Sequence, residues 1–86
     1  MIVLITGANG LVGSALCRES IRRGYHTVAF VRPGADCALV PEEVFIEEGE
    51  FWRAKDAARV LENTRPAAVI HAAAVISTGT PDLELS

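Results

Sequence analysis

Residues 6–13 read TGANGLVG, and the pattern of apolar residues before this stretch differs from the pattern after it. The preceding run, Met1–Thr6, is apolar and rich in β-branched residues without alternation, which predicts a strand covered on both faces. From Leu11 to Arg23 the apolar residues recur at helical spacing. The predicted buried stripe of this helix consists of Leu11, Val12, Ala15 and Leu16. The stretch therefore predicts a strand, a glycine-rich turn and a helix in direct succession.

The three glycines of the turn have separate mechanical roles. Gly7 permits the tight turn out of the strand, Gly10 lets the backbone approach a pyrophosphate, and Gly13 lets the helix pack on the strand. The helix N-terminus adds free N–H groups and a partial positive charge that favour phosphate. This context indicates a dinucleotide site rather than an ordinary turn with packing glycines. The predicted contacts in this segment are Gly7, Asn9, Gly10, Leu11, Val12 and Gly13.

The rest of the chain continues the alternation of strands and helices. Further strands are predicted at His26–Val31, Glu43–Ile46 and Ala67–Ala72, and a second helix at Trp52–Asn63. Alternating elements with right-handed crossovers predict an α/β fold with a parallel sheet of order 3-2-1-4, an incomplete doubly wound sheet. We expect one domain over residues 1–76 and a polar tail over residues 77–86.

Four motifs together resemble one protein family. They are TGANGLVG, the VRPG that follows the second predicted strand, the pair Gly49-Glu50, and HAAA at residues 71–74. With two residues between its first two glycines, the chain resembles the extended short-chain dehydrogenase/reductases, the NAD-dependent epimerase/dehydratase family, over essentially its whole length. The resemblance implies an NAD(P)-binding Rossmann-like fold and the cofactor half of an NAD(P)-dependent epimerase, dehydratase or reductase.

The end of the second predicted strand bears on the choice of cofactor. NAD-binding sheets carry an acidic residue there for the ribose hydroxyls. In this sequence the position is Val31, and Arg32 follows it. A guanidinium offers paired donors and a permanent charge to a 2′-phosphate. We therefore expect NADP as the cofactor, with NAD as the alternative because Asp36 could still reach a ribose.

The resemblance implies further cofactor contacts. Members of the family usually place Gly-Asp after the third strand, where the carboxylate meets the adenine amino group. Here Glu50 keeps the acceptor on a longer side chain, and Phe51 would flank the adenine. The small residues Ala72, Ala73 and Ala74, at the end of the fourth strand, would let the ribose and the nicotinamide lie against the backbone.

The family's catalytic pair, Tyr-x-x-x-Lys, does not occur in this sequence. The tyrosine would exchange a proton and the lysine would lower its pKa. The only tyrosine, Tyr25, is followed four residues later by Ala29, and the only lysine is Lys55, with Phe51 four residues before it. His71 matches a packed strand position of the family, so no catalytic residue is assigned.

We therefore expect no catalysis from this chain alone. The favoured interpretation is the cofactor-binding part of a larger enzyme, truncated before the catalytic region. The alternatives are a non-catalytic nucleotide-binding module or sensor, and an inactive gene fragment.

Composition narrows the classes of partner and compartment. The 86 residues carry a net charge of −3 and half are apolar, which fits one small globular domain. Positive charge is not clustered as in a nucleic-acid footprint, and no apolar run reaches the ~20 residues of a membrane span. Cys17 and Cys37 lack metal or redox spacing, which favours a reducing cytoplasm. An open edge on the fourth predicted strand would favour self-association.

Overall fold

The computed structural model describes residues 1–72, which form four strands and two helices. The elements in chain order are β1 (Ile2–Thr6), α1 (Leu11–Arg22), β2 (His26–Val31), β3 (Phe45–Glu48), α2 (Ala54–Thr64) and β4 (Ala68–His71). The strands pair in parallel in the order β3-β2-β1-β4, so the predicted order 3-2-1-4 is confirmed. In this parallel sheet the carboxyl ends of all four strands lie along one edge, called here the carboxyl edge.

The sheet separates two hydrophobic layers, because alternate residues of a strand face opposite sides. The layer on the α1 side includes Val3, Ile5, Cys17, Ala29 and Val31. The layer on the α2 side consists of Leu4, Val28, Phe30 and Val60. The two central strands are therefore buried on both faces, as their uninterrupted apolar runs predict.

The buried face of α1 differs from the predicted stripe, and that prediction was wrong for three of its four residues. Leu11, Val12 and Ala15 are exposed, while Leu16 is half-buried. The residues that α1 buries are Gly13, Ser14, Cys17 and Ser20. The cause is Gly13, which has to face the glycine-rich turn and thereby fixes the rotation of the helix. Residues four and seven positions after Gly13 then face the sheet as well.

The boundaries of three further elements also differ from their predictions, and β4 spans Ala68–His71 rather than Ala67–Ala72. β3 begins at Phe45 rather than Glu43 and continues to Glu48, because backbone pairing with β2 does not require apolar side chains. α2 begins at Ala54 rather than Trp52, and its buried residue is Val60. No helix within residues 1–72 is long and apolar enough to span a membrane. The predicted tail, residues 77–86, lies outside the described residues.

Candidate functional site

The glycine-rich turn lies at the carboxyl edge, where β1 leads into α1. Gly7 has a φ of 63°, in the left-handed region that glycine adopts without strain. Its N–H donates to the Phe30 carbonyl at 3.2 Å, and its carbonyl accepts the Gly10 N–H at 3.2 Å. The first bond holds the turn against β2, and the second closes the turn on itself.

Gly13 and Gly10 differ in what surrounds them. A Cβ at Gly13 would lie 2.7 Å from the Ala8 Cα and closer still to the Gly7 carbonyl oxygen, so glycine is required for the helix to approach the strand. A Cβ at Gly10 would meet only the Gly7 carbonyl oxygen, at an ordinary 3.6 Å. The fold therefore does not require glycine at position 10, whereas a phosphate lying against this backbone would.

The N-terminus of α1 presents free hydrogen-bond donors. Within residues 1–72, the N–H groups of Leu11, Val12 and Gly13 donate to no backbone acceptor, and no side chain caps the helix. The first turn of α1 contains no acidic residue. Free N–H groups at the positive end of a helix dipole form an anion-binding site. The exposed Leu11 and Val12 and the half-buried Asn9 border these donors.

Side chains join the ends of β1 and β4 beside the turn. The Thr6 Oγ1 and the His71 Nδ1 are 2.6 Å apart, within hydrogen-bond distance, and the His71 ring meets the Phe51 ring edge-on with centroids 4.8 Å apart. The Ala72 N–H donates to the Thr6 carbonyl at 3.2 Å. Phe51 and Ala72 are therefore brought to the edge that carries Gly7. Ala73 and Ala74 lie outside the described residues.

The segment that follows β3 is held by α2. The Asp56 carboxylate accepts the Glu50 N–H at 2.8 Å, and the Arg59 guanidinium donates to the Glu48 carbonyl. Gly49 lies directly against them, since a Cβ there would be 2.9 Å from Arg59 Nη2 and 3.1 Å from the Asp56 Cβ. Asp56 and Arg59 were not among the residues predicted from the sequence. Their three-residue spacing, which places both on one helix face, was the available signal.

Glu50 and Phe51 are partly engaged within the chain. The Glu50 Oε2 accepts a hydrogen bond from the Trp52 indole N–H at 3.0 Å, which orients the carboxylate. A carboxylate has about four lone-pair sites, so Glu50 retains acceptor capacity. The Phe51 ring packs against the α2-side layer as well as against His71. Both residues are thus positioned before any ligand arrives.

The end of β2 carries a cation and no acid. Val31 is 2% exposed and packs in the α1-side layer. Arg32 is exposed and forms no salt bridge within residues 1–72. Asp36 is occupied locally, because its Oδ1 accepts the Ala38 N–H at 3.0 Å. Arg32 is therefore the group at this strand end that is open to a charged ligand.

Comparison with known sequences identifies the family. The chain matches the NAD dependent epimerase/dehydratase family over residues 3–84. A comparison with curated proteins finds no match.

Comparison with solved structures points to the same group of proteins. The UDP-glucose 4-epimerase of Thermus thermophilus, in complex with NAD, is similar with a TM-score of 0.80 and 27% identity, covering 90% of this chain and 25% of that one. The Bordetella bronchiseptica enzyme WbmG, also in complex with NAD, gives a TM-score of 0.76 and 26% identity over 95% of this chain and 27% of that one. The chain thus spans about a quarter of the length of these structures.

Proposed function

Because the chain belongs to the NAD dependent epimerase/dehydratase family, we propose that its glycine-rich turn binds the pyrophosphate of a nicotinamide dinucleotide. The observation that carries this proposal is the free N-terminus of α1, where three N–H groups have no acceptor within the described residues. Gly10 borders these donors and leaves space that the fold does not need. Two similar structures at 27% and 26% identity are NAD complexes, which supports the same ligand here.

The proposed cofactor lies along the carboxyl edge. Arg32, Glu50 and Phe51 contact its adenosine end, the turn contacts the pyrophosphate, and Ala72, Ala73 and Ala74 contact the nicotinamide end. When bound, the nicotinamide supplies a hydride acceptor and donor. The chain's own residues bind and orient it, as the cofactor-binding part, residues 1–76, of an epimerase, dehydratase or reductase, with residues 77–86 as a tail.

NADP is the proposed preference over NAD. The buried Val31 cannot accept hydrogen bonds from the ribose hydroxyls, whereas the exposed Arg32 next to it can pair with a 2′-phosphate. Because the guanidinium is a cation, the preference for NADP depends on the charge of the 2′-phosphate and weakens with rising salt.

Titration with both cofactors tests this proposal. We expect NADPH to bind more tightly than NADH, and Arg32→Ala to weaken NADPH by ~1.5–3 kcal/mol with little effect on NADH, as for hydrogen bonds to a charged group. Arg18→Ala is the matched control, because Arg18 is also an exposed arginine but lies within α1 rather than at the end of β2. Equal affinities for the two cofactors would reject the NADP preference, and binding of neither would reject the proposed function.

The proposed compartment is the cytoplasm. Cys17 and Cys37 are both free thiols, as a reducing compartment would leave them. Burial raises the pKa of the Cys17 thiol to about 11, so this thiol stays protonated and unreactive at neutral pH. Fractionation of cells that produce the chain tests this assignment.

A further inference from the structure

The carboxylate of Glu48 lies beside the position that an NAD-binding sheet reserves for an acid. Glu48 is the last residue of β3, and its register partner on β2 is Val31. Neighbouring strands are about 4.8 Å apart, so Glu48 is one strand spacing from the end of β2. Its side chain reaches back toward β2, because Glu48 Oε2 accepts the Gly34 N–H at 3.3 Å. The carboxylate thus lies against the loop that begins with Arg32.

The backbone of Glu48 is held by a hydrogen bond from α2, whereas its carboxylate is weakly hydrogen-bonded. The guanidinium of Arg59, a residue of α2, donates a hydrogen bond to the Glu48 carbonyl. The 3.3 Å bond to Gly34 is longer than an ordinary N–H···O bond, and within residues 1–72 the carboxylate forms no salt bridge. Glu48 is exposed. A ligand at this loop can therefore replace Gly34 as the partner of the carboxylate without disturbing the strand.

We propose that Glu48 is a specificity-determining residue for the adenosine ribose, an inference that rests on the proposed dinucleotide site. Its carboxylate accepts a hydrogen bond from a ribose 2′-hydroxyl, as an acid at position 31 would, and it repels a 2′-phosphate. Glu48 and Arg32 therefore act in opposite directions on the same ribose position. The ratio of NADP affinity to NAD affinity is therefore smaller than Arg32 alone would produce, and the site accepts both cofactors.

The variant Glu48→Gln tests this opposition because it removes the charge and keeps the size of the side chain. We expect NADP affinity to rise about five- to tenfold, since a like charge near the phosphate is removed. NAD affinity should fall roughly two- to threefold, since an ionised acceptor is replaced by a neutral one. The gain for NADP should shrink at high salt, where charges on the surface are screened.

Glu43→Gln is the matched control. Glu43 is exposed and precedes β3, so it lies toward the opposite end of the strand, and its replacement changes the net charge by the same amount. We expect less than about a twofold change for either cofactor, because the length of β3, roughly 10 Å at 3.3 Å per residue, separates this charge from the carboxyl end of the strand and is about one Debye length. Any general effect of net charge on binding is thereby separated from the effect of Glu48.

A measurement on the wild-type chain gives a second test. The Gly34 amide resonance should shift on titration with either cofactor as the Glu48 carboxylate turns to the ribose or away from the phosphate. Equal changes in NADP and NAD affinity in Glu48→Gln, or changes no larger than those in Glu43→Gln, would overturn the role of Glu48. So would a Gly34 resonance that stays unchanged at saturation. Failure of the wild-type chain to bind either cofactor would instead overturn the proposed function.

Discussion

A side chain at position 10 has room in the folded chain, because its Cβ would meet only the Gly7 carbonyl oxygen at 3.6 Å. The backbone of Gly10 is extended, with φ −85° and ψ 177°, which any residue adopts. We therefore expect Gly10→Val to fold normally and to lose dinucleotide binding, because the side chain would occupy the place of the pyrophosphate. Titration with NADPH and thermal unfolding of the same sample would measure both effects.

Gly13→Ala provides the contrast at the same turn. The added methyl would lie 2.7 Å from the Ala8 Cα, so α1 would have to move away from β1. Overpacking of this kind destabilises a protein by ~1–3 kcal/mol or more. If Gly10→Val binds with unchanged affinity, the turn is not the phosphate site. If Gly13→Ala unfolds at the wild-type temperature, the close approach of helix and strand is not needed.

At the scale of the element, the sequence predicts the central strands better than the helices. The strands Ile2–Thr6 and His26–Val31 are buried on both faces, so nearly every one of their side chains indicates a buried strand. The rotation of α1 is instead set by one glycine in contact with a turn, and small polar residues line its buried face. Apolar periodicity cannot reveal a helix face that buries serine and glycine. The strand order followed from chirality rules and is confirmed.

The candidate site likewise contains residues with a local sequence pattern and residues that act through distant partners. The glycines of the turn carry a local pattern, so Gly7, Gly10 and Gly13 were predicted from their spacing together with the strand before them and the helix after them. The residues that hold the neighbouring segments, Thr6 and Asp56, act through partners that are distant in sequence or lie across a loop. Thr6 meets a residue 65 positions away. Only the folded sheet brings Thr6 and His71 together, and a single sequence carries no signal for that pair.

A pair of buried hydroxyl groups connects α1 with β2. The hydroxyl groups of Ser20 and Thr27 are buried and lie 2.7 Å apart, in hydrogen-bond distance. Ser20→Ala should lower the free energy of unfolding by ~1–3 kcal/mol, because it removes the main partner of a buried hydroxyl. The double variant Ser20→Ala/Thr27→Val should recover part of this loss, because it leaves neither hydroxyl buried without the other.

Urea unfolding of the wild type, both single variants and the double variant completes a double-mutant cycle. Additive effects of the two substitutions would show that the hydroxyl pair contributes nothing beyond its separate packing.

We propose that the isolated chain self-associates through the outer edge of β4. Within residues 1–72, β4 pairs only with β1, and Val69 and Ile70 are exposed. An unpaired apolar edge is a template for strand pairing between molecules. We expect the sedimentation coefficient to rise with concentration, and Val69→Lys to reduce this rise because a charge on an edge strand opposes pairing.

Glu62→Lys serves as the control for the added charge, since Glu62 is exposed and lies on α2 rather than on a strand. A chain that remains monomeric at all concentrations, or equal effects of the two lysine variants, would contradict association through β4.

We expect residues 1–86 alone to transfer no hydride and to epimerise no substrate. Tyr25, the only tyrosine, precedes β2, whereas the glycine-rich turn lies at the carboxyl ends of the strands. The six residues of β2 separate the two by roughly 20 Å at 3.3 Å per residue, so Tyr25 cannot exchange a proton with a substrate beside the nicotinamide. Lys55 is exposed on α2, and Phe51 stands four residues before it.

Catalysis also requires a reactant to be oriented against the cofactor, which can contribute ~7–11 kcal/mol. The test is turnover of NADPH and NADH against aldehydes, ketones and sugar nucleotides, with monomer isolated by gel filtration. We expect cofactor binding without turnover. Sustained turnover by the monomer that disappears in Gly10→Val would contradict this expectation. His71, whose Nδ1 already meets Thr6 beside the turn, would then be the first residue to replace.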